Sequence, residues 1–100
     1  MKFKNAENIE YQIVWRKPYT KKKNKYNIIG LCDDPTAKKP KIWISPHLND
    51  KQLCRVMIEE ICHAYMFDKN EKTVRRFSSN LRRMIWKVFK VKKRQQAIDL

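Results

Sequence analysis

Glu59 and Glu60 stand beside His63 in the run Glu59-Glu60-Ile61-Cys62-His63, in a chain that has 10 acidic residues against 24 lysines and arginines. On a helix, residues four apart project within about 40° of each other and lie one turn apart, so Glu59 and His63 share a face. A carboxylate oxygen and an imidazole nitrogen placed that way can hold a divalent ion. A second carboxylate beside them, Glu60, can then act on water as a general base. The plain alternative is an exposed acidic face, in which Glu59 and Glu60 pair with Arg55 or with lysines elsewhere at about 0.3–0.5 kcal/mol per helical pair.

Other nucleophiles and ligands nearby are weaker candidates. Cys54 and Cys62 read as small apolar groups of the helix. A Cys62–His63 dyad is disfavoured because neighbouring helical residues point about 100° apart and cannot readily hydrogen-bond. His47, which follows Pro46 just before the helix, could swing toward an ion as a further nitrogen ligand, although a loop histidine there commonly has only a local role.

The spacing is that of the HExxH helix with glutamate in place of its first histidine. In HExxH the two histidines bind zinc and the intervening glutamate is the base, so His63 matches the second ligand, Glu60 the base and Glu59 the first ligand position. Carboxylate oxygen is an acceptable zinc ligand, but it is harder than imidazole and shifts preference toward Mn or Fe. The run from Ile42 to Trp86 carries more than the motif: a strand with a Ser45-Pro46 stop, the helix ending Glu-Glu-Ile-Cys-His-Ala, then Asp68, Glu71 and Val74, and finally Met84-Ile85-Trp86. This run, about half of the chain, resembles the small phage and bacterial zincin-like metallopeptidases related to minigluzincins.

That resemblance implies an α+β zincin-like core, a sheet packed on the active-site helix, and a third metal ligand from the following helix, by position Glu71. It implies a metal-dependent peptidase acting on a peptide or protein, with zinc as the first metal to consider, in the host cytoplasm if the chain is phage-encoded. The departure is Glu59, which bears on both the metal and the activity. Glu71 has a structural reading as well, since Asp68-Lys69-Asn70-Glu71 has the spacing of a capping box.

The elements that must position these residues can be read from the pattern. Residues 10–15, Glu-Tyr-Gln-Ile-Val-Trp, are β-branched and aromatic and predict a strand. Lys21-Lys22-Lys23-Asn24-Lys25 predicts a loop or hairpin tip, because like charges this dense stay solvated. Tyr26 to Cys32 predicts a second strand, interrupted by the sole glycine, Gly30, and closed by the turn Asp33-Asp34-Pro35. Lys41 to Ser45 predicts a third, stopped by Pro46.

From Asn49 the period changes. Leu53, Met57 and Ile61 recur at helical spacing, with Asn49 as N-cap and Gln52 three residues on. A second helix follows Asp68, with Val74, Phe77, Leu81, Met84, Ile85 and Val88 spaced as one apolar stripe, and Trp86 and Phe89 are expected in the core or at its edge. The expectation is one domain over residues 1–100, with about three N-terminal strands followed by two long helices. Residues 1–9 and 91–100 are expected as frayed tails, the basic end Lys90-Val91-Lys92-Lys93-Arg94 leaving the helix for solvent.

Composition sets the remaining bounds. Three cysteines without paired CxxC spacing suit free thiols in a reducing compartment rather than a disulfide scaffold or a Cys-rich zinc module. No apolar stretch approaches the ~20 residues that span a bilayer, and the N-terminus lacks a signal-type core, which points to a cytoplasmic protein without a membrane anchor. The formal net charge of +14 sets up a positive field that attracts polyanions. Arg75, Arg76, Arg82, Arg83 and Lys87 decorate the second helix with spacings that could track a phosphate backbone, so a non-catalytic basic module that binds nucleic acid or an acidic host protein is the competing expectation.

Overall fold

The computed structural model describes residues 1–18 and 29–98. The expected lysine-rich loop at 21–25, and the part of the second strand at 26–28, lie outside the described residues. The remainder is α+β: strands β1 (Lys2–Lys4), β2 (Glu10–Trp15), β3 (Gly30–Cys32) and β4 (Lys41–Ile44), then helices α1 (Asp50–Tyr65) and α2 (Glu71–Ile98).

Among the described residues the four strands form one mixed sheet in the order β1-β2-β4-β3. β2 and β4 pair in parallel at its centre, with Ile13 beside Ile42, while β1 and β3 are antiparallel edges. Strand alternation sends Tyr11, Ile13, Ile42 and Ile44 to one face, where all four are buried against Val56 and Ala64 of α1. α2 packs on α1 rather than on the sheet, so α1 is the middle of three layers.

Two expectations about the ends of the chain are corrected. Residues 1–9, expected as a tail, contain β1, which pairs along β2 from Lys2–Gln12 to Lys4–Glu10. The turn between them is built by Asn5, which is buried and whose Oδ1 accepts from the backbone N–H groups of Glu7 and Ile9 at 3.0 and 2.9 Å. Asn8 takes the left-handed conformation there, which asparagine tolerates. At the other end, α2 continues to Ile98 instead of leaving the helix at the basic run.

Helix starts are set by local chemistry. Asn49 caps α1 as expected: its Oδ1 accepts from Gln52 N–H at 2.8 Å, and Gln52 Oε1 accepts from Asn49 N–H at 3.3 Å. At α2 the expected Asp68/Glu71 capping box is replaced by Asn70, whose Oδ1 accepts from Thr73 N–H at 2.8 Å. Glu71 is therefore the first helical residue, and its carboxylate is free of capping duty.

The apolar stripe of α2 is only partly covered. Val74 is buried, but Phe77, Met84, Ile85 and Val88 are exposed, because α1 covers the neighbouring face of α2, where Ser78 is buried. No helix among the described residues is long and apolar enough to cross a membrane.

Candidate functional site

Gly30 sets the geometry between sheet and helix. A Cβ at this position would lie 2.5 Å from Val56 Cγ1 and 3.2 Å from Glu60 Cγ, a separation that real side chains do not adopt. The interruption at Gly30, for which a bulge, a close backbone approach or a plain bend of the sheet were open, is a close approach: its bare backbone lets β3 settle onto α1 at Glu60.

Cys32 lies two residues on, on the same α1-facing side of the strand. Beyond it Asp33 ties the β3–β4 connection. Its two carboxylate oxygens accept from Lys41 N–H at 2.9 Å and from Trp43 Nε1–H at 3.1 Å, and its carbonyl accepts from the Tyr11 hydroxyl at 3.1 Å. Asp34 is held by its own turn, accepting from the backbone and the hydroxyl of Thr36, which keeps its carboxyl below the usual range.

A cleft of about 400 Å³ opens along this edge, walled by β3 and its following turn on one side and by Glu60, His63 and Glu71 on the other. Glu60 makes no hydrogen bond or ion pair among the described residues. Burial, and secondarily the adjacent charge of Glu59, push its carboxyl up from 4.5 to about 7. The Cys32 thiol is pushed up to about 12, chiefly by burial and then by Glu60, which makes it a poor nucleophile. Cys62 is raised by burial and then by Glu59. What the arrangement supplies is one carboxyl poised to exchange a proton near neutral pH, with an imidazole one turn further along the helix.

Of the residues singled out by sequence, Glu60, His63 and Glu71 line this common cleft. Glu59 lines an adjoining crevice of about 210 Å³ between the helices, with Arg55, Arg75 and Arg82. The Glu71–Arg75 ion pair, 2.9 Å across one helical turn, joins a residue lining the cleft to one lining the crevice. No group of three His, Cys, Asp or Glu side chains among the described residues converges closely enough to hold a metal ion. The expected ligands Glu59, His63 and Glu71 are thus divided two and one in this arrangement. His47 lines neither space.

Sequence reasoning missed the β3 wall, Cys32 and Asp33 above all, having read Asp33 as a turn residue only. The available signal was Gly30, since a lone glycine within a strand of an otherwise glycine-free chain marks where another element comes close.

The basic residues collect on a third site. Arg82, Arg83 and Lys87 of α2 face Lys51 and Arg55 of α1 across a crevice of about 270 Å³ floored by Trp86, with no carboxylate in its lining. Trp86 Nε1 is buried there without a hydrogen-bond partner. Arg75 faces the Glu59 crevice instead, and Arg76 is exposed. Compared with protein-family models, with curated proteins and with solved structures, the chain has no match.

Proposed function

We propose that the chain is a zincin-like, peptidase-type hydrolase whose reaction takes place in the cleft lined by Glu60, His63 and Glu71. The observation that carries this reading is the Glu60 carboxyl: half-buried, unpaired among the described residues, raised to about 7, and set beside β3 at the edge of the described sheet. Among the described residues β3 is an edge strand, and an extended peptide can add to such an edge through main-chain hydrogen bonds, which would bring its backbone past Glu60. Glu60 is then placed to take a proton from the attacking water and to return it to the departing amine.

A divalent ion belongs to this reading, zinc first and Mn or Fe as alternatives, with Glu59, His63 and Glu71 as its ligands. When bound, it would polarise the water and the scissile carbonyl. In the present arrangement the three donors do not meet, so no step is assigned to it.

The test is a set of thermal melts on the parent, Glu59→His and His63→Ala, each with and without Zn or Mn, alongside hydrolysis of a peptide library by the parent and Glu60→Gln. Metal at about 100 times Kd should stabilise the parent and Glu59→His by about 2.7 kcal/mol and leave His63→Ala unmoved. Loss of the general base should slow any hydrolysis by about 10²–10⁴-fold. No metal-dependent shift in either histidine-bearing form, together with no hydrolysis, would sink the proposal.

A second reading, a non-catalytic basic module that binds nucleic acid, is favoured by the acid-free crevice around Trp86. Its affinity for an oligonucleotide should be electrostatic, falling steeply between ~50 and 200 mM salt and showing little sequence preference.

A further inference from the structure

The apolar residues of α2 follow seam spacing. Phe77, Leu81, Met84 and Val88 are separated by four, three and four residues, with Val74 three before Phe77, the repeat by which one helix packs lengthwise on another. Among the described residues the seam is buried at its start and half-buried at Leu81, and open elsewhere. Val74 is 1% exposed, while Phe77 is 51%, Met84 62% and Val88 61% exposed. α1 cannot cover the remainder, because it meets α2 on the adjacent face, at Ser78 and Trp86.

The flanks say what would cover it. From Lys72 to Ile98 the helix sequence holds no carboxylate. Asn80 and the exposed Lys87 border one side of the seam, and Ile85 and the exposed Lys92 the other. Two copies joined along this seam, parallel or antiparallel, would bring lysine flanks against lysine flanks, so like charge opposes self-pairing. On the α1 side Ile85 and Phe89, 41% and 45% exposed, extend the apolar surface beyond the seam. A helix with apolar seam residues and acidic flanks finds complementary shape and charge together.

We propose that α2 docks an acidic amphipathic helix of a partner protein along Phe77, Leu81, Met84 and Val88. This surface is separate from the Glu60 cleft, and its occupation does not depend on hydrolysis there.

The probe is a labelled four-heptad peptide with Leu at both seam positions and Glu at both flanking positions, titrated with the full chain and followed by fluorescence anisotropy. A permuted peptide of the same composition without the repeat, and vesicles containing anionic phosphatidylserine, are run in parallel. The expected result is that the heptad peptide binds at least fivefold more tightly than the permuted one. Met84→Glu and Val88→Glu should each weaken it at least fivefold while melting as the parent does, since both side chains are exposed. Equal binding of the two peptides, or no binding of either, would overturn the proposal, as would variants that bind like the parent. Tighter association with the vesicles, lost in the same variants, would assign the seam to a membrane surface instead. A concentration-dependent dimer by sedimentation that those variants abolish would assign it to a second copy.

Discussion

Glu59 and Glu60 are neighbours in sequence and near-opposites in setting. Glu59 opens onto a crevice with three arginines, where its charge is welcome. Glu60, about 100° around the helix, lies against β3 without an ion pair among the described residues, and its proton is held to about 7. The difference is made by what lies outside α1: the sheet covers one side and the basic helix α2 the other. Adjacent identical residues thus acquire different chemistry from the layer that each one meets.

The largest effect expected from disturbing this contrast is at Gly30. Gly30→Val would drive side-chain atoms into Val56 and Glu60, and should cost about 3 kcal/mol, since the interfering atoms include a packed core side chain. For a domain of this size that is a fall of more than 10 °C in melting temperature. A variant melting within 2 °C of the parent would mean that β3 does not rest on α1 as described.

Glu60→Gln comes next and has a pH signature. A carboxyl whose folded pKa is raised from 4.5 to about 7 disfavours the fold once ionised. The penalty is absent below the unfolded value, grows between them and is complete above about 7. The parent should therefore lose stability as pH rises through this window, while Glu60→Gln should not, gaining on the order of 2 kcal/mol at pH 8 and nothing at pH 4. Parallel pH profiles of denaturant unfolding check the sign, and parallel curves for parent and variant would contradict it.

The smallest effect sharpens the comparison from the other side. Glu59→Gln should change stability by less than about 0.5 kcal/mol, since Glu59 makes no ion pair or hydrogen bond among the described residues. It should nevertheless lower the titration midpoint of Glu60, followed by carboxyl carbon NMR, because the Glu59 charge is the second cause of that shift. The midpoint should stay well above 4.5, since burial is the first cause. A return to 4.5 would mean that charge, not the sheet, governs Glu60.

Much of this arrangement was legible where the determinants are local. The strand at Glu10–Trp15, the Pro46-stopped strand β4 and the Asn49–Gln52 box each depend on a few consecutive residues. β1 was missed because Lys2-Phe3-Lys4 offers one apolar residue, and its strand state comes from pairing with β2. The face-sharing of Glu59 and His63 follows from helical geometry, but which flank the sheet would cover does not, so the division between the two carboxylates was invisible. The stripe on α2 was legible as a stripe and no further: periodicity shows that a face is apolar without saying what, if anything, lies on it.

The middle position of α1 also fixes the order in which the molecule surrenders its amide protons. The central turns of this helix, around Val56, can exchange with deuterated solvent only after parting from the sheet on one side and from α2 on the other. Their protection should therefore report global unfolding. The turn of α2 at Val88, Phe89 and Lys90, all exposed, has fewer neighbours to part from and should exchange orders of magnitude sooner. Within one helical hairpin, the same backbone hydrogen bond thus has two lifetimes, set by how many neighbours must move before it can open.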